Sequence, residues 1–545
     1  MSNTIYEKSR FFSIFGYSEP MSLSLHNTLT REKEVFKPLK QDEVKVYYCG
    51  PTPYNYAHIG NLRNYLMDDF VVRILRYLGY RVRTTMNITD IDDKTIRDSQ
   101  TSGKTLRAFT EYYTAEFLAD CARLGIQTAD HIKPISELID DMGEIIDTLI
   151  QKWYAYLAED GSIYYSVSKF KNYGKFAHLD MSGMQSSVRI DNDEYDKEQV
   201  ADFALWKAYD EAADGENKWE ISVSLAPDAV IPAHAGIQRI GNMDPETSSG
   251  WQKIKISGRP GWHIECSACN KHFFWEQIDI HMGGVDLIFP HHQNEIAQTE
   301  AYTGKQFAKY WLHGGHLLVD NKKMAKSAKN FYTLRDIIEQ VTDTSEALVC
   351  RGFRLMWLQN SYRENFNFTW DRLTAAINTV KWLDETLKRL GRYIEKCPAQ
   401  NTERNAHGKL KFHDISREFR ENQQAFMQDF IDWLEDDFDT VSTMTVVFEY
   451  QSYINSSIDD ELFSLEEAKS CRDLLQSWDE VLGLLDFTLL TDTVEIPEMI
   501  QKLALERYDA KLAKNWAEAD TIRDELAAAG WKMIDEKDGW RLEKI

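Results

Sequence analysis

A chain of 545 residues is too long for one hydrophobic core, and roughly three to five domains are expected. Its 43 % hydrophobic and 12 % aromatic content is that of folded protein, and no apolar run approaches the roughly 20 residues that span a bilayer. A net charge of −24 argues against coating nucleic acid by bulk charge, but leaves room for a local basic surface that meets RNA.

The opening MSNTIYEKSRFFSIFGYSEP mixes charges and has no apolar h-region, so it does not read as a secretory signal. Met21 offers an alternative start, which makes residues 1–21 an N-terminal extension. Seven cysteines, at 49, 121, 266, 269, 350, 397 and 471, are odd in number and scattered. That argues against a disulfide framework and for a reducing cytoplasm. After a polar stretch at 22–40, EVKVYYCG (43–50) alternates Val44, Val46 and Tyr48 as a strand does. PTPYNYAHIG reads as a turn. Then NLRNYLMDDFVVRILRYLGY carries Leu62, Leu66, Phe70, Ile74 and Leu78 at helical spacing, with Gly79 suited to a C-terminal cap. RVRTTMNIT (81–89) is the next strand, so the segment forms a βαβ unit and the core is expected to be a parallel nucleotide-binding sheet.

Residues 105–185 read as mostly helical, with a strand-like SIYYSV. Residues 210–257 are polar, without a sustained period, and are taken as an inserted, partly flexible loop. The sheet is expected to resume near GWHIECS and QIDIHMGG. From about 331 onward, amphipathic runs at 331–397 and 415–489 suggest a helical bundle. A last unit pairs the helix AEADTIRDELAAAG with a hairpin signalled by Asp538–Gly539.

Three constellations carry chemistry. In YAHIGN (56–61), a helix starting after a turn presents free N–H groups and a positive dipole end to phosphate, and His58 can add a donor. A turn histidine is an equal explanation of this motif alone. In KKMAKSAKN (322–330), lysines could close over a triphosphate as point charges, although an isolated cluster of this kind is more often a solvated basic patch. The third is a histidine-rich zone, since seven of the fourteen histidines fall between His263 and His316. Within it His291 and Glu295 lie four apart, on one face if helical. Cys266, placed after an expected strand, and Cys49 could add thiolates, giving a sulfur, nitrogen and oxygen set that suits tetrahedral zinc. Singly, each cysteine is as well explained by packing. Cys266 and Cys269 form a CxxC with no second copy, and Cys269 is expected to be a neutral neighbour.

Taken in order and spacing, YYCGPTPYNYAHIGN, NITDIDDK, GRPGWHIECSA, DIHMGGVDLIFPHHQNEIAQ and KMAKS resemble the cysteinyl-tRNA synthetases, which are class I synthetases. The resemblance runs from about residue 22 to the C-terminus, broken by an insertion at 214–257. It implies an α/β fold: a class I Rossmann-type parallel-sheet catalytic domain with an inserted connective domain, a helical-bundle anticodon-binding domain and a small C-terminal α/β domain. The expected boundaries are 22–137 and 259–308 for the two catalytic halves and 138–258 for the connective insertion. They continue with 309–368 for a stem-contact region bearing the KMAKS loop, 369–490 for the bundle and 491–545 for the last domain.

The resemblance implies that Cys49, Cys266, His291 and Glu295 bind one zinc that grips the substrate thiolate, and that Thr89, Trp262, His281 and Asp286 surround the amino acid. It places His58, Gly60, Asn61 and Lys326 at ATP, with His58, Asn61, Lys323 and Lys326 catalytic. Asn61 departs from the family's final histidine, and Ala325 from its first KMSKS serine. VIPAHAGIQ reads as acquired sequence, with His234 no ligand. The implied activity is ATP-dependent ligation of L-cysteine to tRNA(Cys), with Mg2+ accompanying ATP, in a cytoplasmic monomer. A related ligase that transfers cysteine to an amino sugar would lack the C-terminal anticodon region, whereas here over 200 residues follow KMAKS. A zinc-stabilised RNA-binding protein would not need both nucleotide motifs, and HHQNE is not the HExxH of metallohydrolases.

Overall fold

Three of the four apolar side chains in strand β1 (Glu43–Tyr48), Val44, Val46 and Tyr47, are fully buried and Tyr48 nearly so, as expected for a parallel strand covered on both faces. The computed structural model describes residues 22–41, 43–179, 189–190, 201–226, 238–239, 251–275, 277–324, 330–396, 416–490, 497–536 and 539–544. Helix α1 (Ile59–Tyr77) follows β1 and ends as expected, with Gly79 at φ 89° after the cap Leu78. It leads into β2 (Arg81–Ile88), parallel to β1.

Three further strands complete this sheet: β3 (His131–Pro134), β4 (Ile278–Gly284) and β5 (Ala308–Gly314), all paired in parallel. The order is β5-β4-β1-β2-β3, a Rossmann-type arrangement. The chain order reverses between β1 and β4, the place where such sheets open a crevice for ligands beyond their carboxyl ends.

Between β3 and β4 the chain builds a second, largely antiparallel sheet. Its strands include Ile163–Tyr165, Asp202–Ala208, Trp219–Leu225 and Gln252–Pro260. The stretch 210–257 is therefore not simply a loop: Ile221, Val223 and Leu225 on one strand and Ile254 and Ile256 on the next are buried. Their alternation is a two-residue period that the surrounding polar residues obscure. His234 lies outside the described residues. A second correction concerns GWHIECS, which forms helix α2 (Trp262–Phe274) rather than a strand. Nearly every residue of α2 is buried, so it shows no amphipathic period. The parallel sheet resumes only at QIDIHMGG, followed by α3 (Gln293–Thr303) and β5.

Beyond β5 come helices Glu346–Leu358, Trp370–Lys396, Arg417–Glu435, Thr440–Asp459 and Leu465–Leu482. A buried guanidinium ties them to α1. Arg354 Nη2 donates to Asp69 Oδ2 at 2.7 Å, and its other nitrogens donate to the Leu482 and Leu124 carbonyls at 2.6 and 3.1 Å. Asp69 is further held by Arg73 Nε at 2.8 Å.

The chain divides into two units, Met1–Phe487 and Thr488–Ile545. In the second, helices Glu498–Leu512 and Trp516–Ala528 and the hairpin Trp531–Glu536 with Gly539–Lys544 share a core of Ile500, Ala504, Ile522, Leu526, Trp531 and Met533. Glu536 pairs with Gly539, so the connecting residues are 537 and 538, which lie outside the described set. No helix among the described residues is long and apolar enough to cross a membrane.

Candidate active site

Cys49 leaves β1 at the reversal point, where the chain must pass close to β2. A Cβ on Gly50 would lie 1.5 Å from the Asn87 carbonyl oxygen, so only glycine fits. Asn87 fixes this corner, its Oδ1 accepting from Gly50 N at 2.8 Å and from Tyr47 Oη at 2.9 Å.

Helix α2 delivers Cys266 to the same point, with its Sγ 3.8 Å from Cys49 Sγ. His291 Nε2 stands 3.3 Å from Cys266 Sγ and 3.2 Å from Glu295 Oε1. One ligand atom from each of the four residues lies within 4.8 Å of all the others. Tetrahedral zinc with bonds of about 2.3 Å to sulfur and about 2.0–2.1 Å to nitrogen or oxygen requires ligand separations of about 3.3–3.8 Å. The donor set fits that geometry. Both Glu295 oxygens are fully buried and face only imidazoles, His281 Nε2 at 2.8 Å and His291 Nε2 at 3.2 Å, neither in hydrogen-bond alignment, and a carboxylate buried in that way among further ligand atoms suits a cation.

The electrostatics agree. The Cys266 contact lowers the Cys49 thiol, but burial and the Glu295 charge push it up to about 11. Burial, then Cys49 and Glu295, raise Cys266 as well. Burial alone would depress His291, yet Glu295 and Cys266 hold it up to about 10. Without a metal the site thus keeps protons that metal binding must displace. Cys269 is fully buried and outside the ligand group.

Around this quartet, Trp262 stacks on His291 with centroids 4.1 Å apart. Thr89 Oγ1 donates to Glu265 Oε2 at 2.6 Å. Thr89, Trp262, Asp286, His58 and Asn61 line one cleft with Cys49 and Cys266. His281, fully buried, meets the cluster through Glu295.

His58 is the N-cap of α1 and forms a capping box with Asn61. Its Nδ1 accepts the Asn61 N–H at 3.1 Å, while Asn61 Oδ1 accepts the His58 N–H at 3.3 Å. An adjoining cleft brings Gly60, Lys323 and Met324 to His58, Asn61 and Asp286. Lys323 lies on the short strand Lys322–Lys323, and Lys326 is outside the described residues. Tyr332, a few residues beyond the lysine cluster, meets the start of α1, its carbonyl accepting from Ile59 N at 2.9 Å.

Sequence reasoning missed a second imidazole chain. His292 Nε2 is 3.6 Å from Cys49 Sγ, its Nδ1 is 2.7 Å from His313 Nε2, and His313 Nδ1 is 2.8 Å from Thr28 Oγ1. Burial lowers His292 strongly and His313 to about 3, so both rings stay neutral. The adjacent His291–His292 pair was the signal available.

Residues 35–224 and 241–378 match the family described as tRNA synthetases class I (C) catalytic domain, and residues 429–486 match the DALR domain. The chain is 39 % identical over 535 residues to the cysteine–tRNA ligase of Chlamydia trachomatis serovar A, covering 96 % of this chain and 100 % of that one. It is 38 % identical over 530 residues to the cysteine–tRNA ligase of Chlamydia pneumoniae, covering 97 % and 100 %. In fold it is similar to Mycobacterium tuberculosis methionyl-tRNA synthetase in complex with methionyl-adenylate, at a TM-score of 0.51 and 13 % identity over 81 % of this chain and 90 % of the other. The LeuRS of the Agrobacterium radiobacter K84 LeuRS-tRNA-LeuAMS complex gives a TM-score of 0.52 at 12 % identity over 85 % and 88 %.

Proposed function

Given that the chain belongs to the cysteine–tRNA ligases, with a class I synthetase catalytic domain and a DALR domain, we propose that it activates L-cysteine with ATP and transfers it to tRNA(Cys), selecting cysteine by its thiolate. The observation that carries the selection is the convergence of Cys49, Cys266, His291 and Glu295 at the crevice of the parallel sheet. These four residues would hold one zinc. When bound, zinc supplies a soft Lewis acid that prefers sulfur to a serine hydroxyl, a larger difference than one methylene offers.

The rest is performed by the chain's own groups. Trp262 keeps the His291 ring in place and, with Thr89 and Asp286, shapes the amino-acid pocket. His281 orients Glu295. The cysteine carboxylate attacks the α-phosphate of ATP, giving cysteinyl-adenylate and pyrophosphate, and a terminal ribose hydroxyl of tRNA then displaces AMP. His58, with Lys323 and Lys326 of the KMAKS segment, stabilises charge developing on the phosphates. Gly60 leaves room for the nucleotide, and Asn61 serves by capping α1 and fixing the His58 ring. Mg2+ accompanies ATP. The helices around the DALR match read the anticodon.

The test is cysteine-dependent exchange of pyrophosphate into ATP, followed by charging of tRNA(Cys). Absence of exchange in the zinc-loaded chain overturns the reading. Exchange without charging would favour a ligase with another acceptor.

A further inference from the structure

The outer rim of the cleft is built from tyrosines that activation of the amino acid does not use. Tyr54 and Tyr56 come from the loop between β1 and α1, and Tyr112 and Tyr113 from helix Leu106–Arg123. Tyr56 and Tyr112 join hydroxyl to hydroxyl at 2.8 Å. Tyr113 stands edge-on to both, with centroids 5.5 and 5.1 Å away, and Phe109 backs it at 5.0 Å. These contacts fix the ring orientations before anything binds.

Three rings also carry a cation: Arg335 lies 4.4 Å from the Tyr56 centroid, Lys104 5.2 Å from Tyr112 and Lys94 5.6 Å from Tyr54. Arg335 is itself held by Glu116 and Asp120. Tyr112 remains 42 % exposed, and Tyr54, Tyr56 and Tyr113 line the same cleft as His58 and Cys49.

One exposed ring, Tyr112, set among half-buried tyrosines that share their faces with cations is the kind of surface that takes unpaired nucleotides. Bases stack on the rings or on a guanidinium plane, and phosphates sit near the cations. We propose that Tyr56, Tyr112 and Tyr113, with Arg335 and Lys104, form a stacking platform for the unpaired 3′-terminal nucleotides of the acceptor RNA. A strand stacked there has its last ribose directed into the cleft, where the adenylate waits. This rests on the ligase reading above.

The test uses the full-length chain with Tyr112→Ala and Tyr112→Phe, measuring cysteine-dependent pyrophosphate exchange without RNA and charging of a tRNA(Cys) transcript. Tyr112→Ala should lower kcat/KM for the transcript about tenfold, the scale of one lost stacked base. Exchange should stay within about twofold, as for a surface substitution, and Tyr112→Phe should keep most of the charging because the ring remains. Unchanged charging by Tyr112→Ala overturns the proposal, and so does an equal fall in exchange and charging. A parent chain that does not catalyse exchange would instead overturn the ligase reading, and this inference with it.

Discussion

Cys49 Sγ and Cys266 Sγ stand 3.8 Å apart although 217 residues separate them in sequence. That distance matches the edge of a tetrahedron around zinc with sulfur bonds of about 2.3 Å. Replacing Cys266 with Ser should therefore leave less than one zinc per chain by elemental analysis. It should also raise the KM for cysteine by more than the roughly tenfold that loss of a supporting metal-site residue can cost. Full zinc content with an unchanged cysteine KM would remove the thiolate-grip model.

The metal-free chain should lose stability as pH rises. His291 is held above its usual 6.5, so the stability it contributes is complete below that value and disappears as pH climbs through about 10. The raised thiols of Cys49 and Cys266 act in the same direction at higher pH. Thermal unfolding of chelator-treated protein should thus fall in Tm between pH 6.5 and 10, whereas zinc-loaded protein, whose ligands are already deprotonated, should change less. Parallel curves would mean that these groups do not titrate as the cluster requires.

His58→Asn separates two roles of one residue. Asparagine caps a helix as well as any side chain, so the melting temperature should barely move. Pyrophosphate exchange should nevertheless drop about 10²–10³-fold, the usual loss of one transition-state donor. Unchanged exchange at an unchanged melting temperature would identify His58 as a cap and nothing more.

Arg354→Met takes one of two guanidinium partners from the buried Asp69 and leaves it Arg73 alone. The single change should cost up to about 3 kcal/mol in denaturant unfolding, the lower end of the range for a buried pair that loses one partner, because Arg73 stays on Asp69. Adding Asp69→Asn removes the charge that Arg354 had helped to balance and should recover part of the loss. A double variant no more stable than the single would show that charge is not the cause.

The parallel core was legible because β1 and β2 carry apolar alternation and α1 carries a clean helical period with a glycine stop. The strand Trp219–Leu225 was missed although Ile221, Val223 and Leu225 alternate, because Glu220, Ser222 and Ser224 lower its hydrophobicity to that of a loop. Helix α2 was misread for the opposite reason: buried on nearly all sides, it has no polar stripe to reveal its period. At the site, the four-residue spacing of His291 and Glu295 pointed to a shared face, which the π-helical turn Ile288–His292 running into α3 supplies. No local pattern could show that His292 and His313, on different elements, would extend the cluster to Thr28. That depends on β5 lying beside β4, a pairing that only the tertiary fold decides.

The placement of β1 between β2 and β4 sets a timetable for synthesis. Strands β1, β2 and β3 are complete by residue 134, but β4 starts at residue 278. At ~5–20 residues per second, the flank of β1 waits unpaired for roughly seven to thirty seconds. An open strand edge invites pairing with a neighbouring chain, so the nascent protein depends on chaperone cover or on early folding of the intervening sheet. The four proposed metal ligands can meet only after that delay, when Cys266, His291 and Glu295 have left the ribosome to join Cys49.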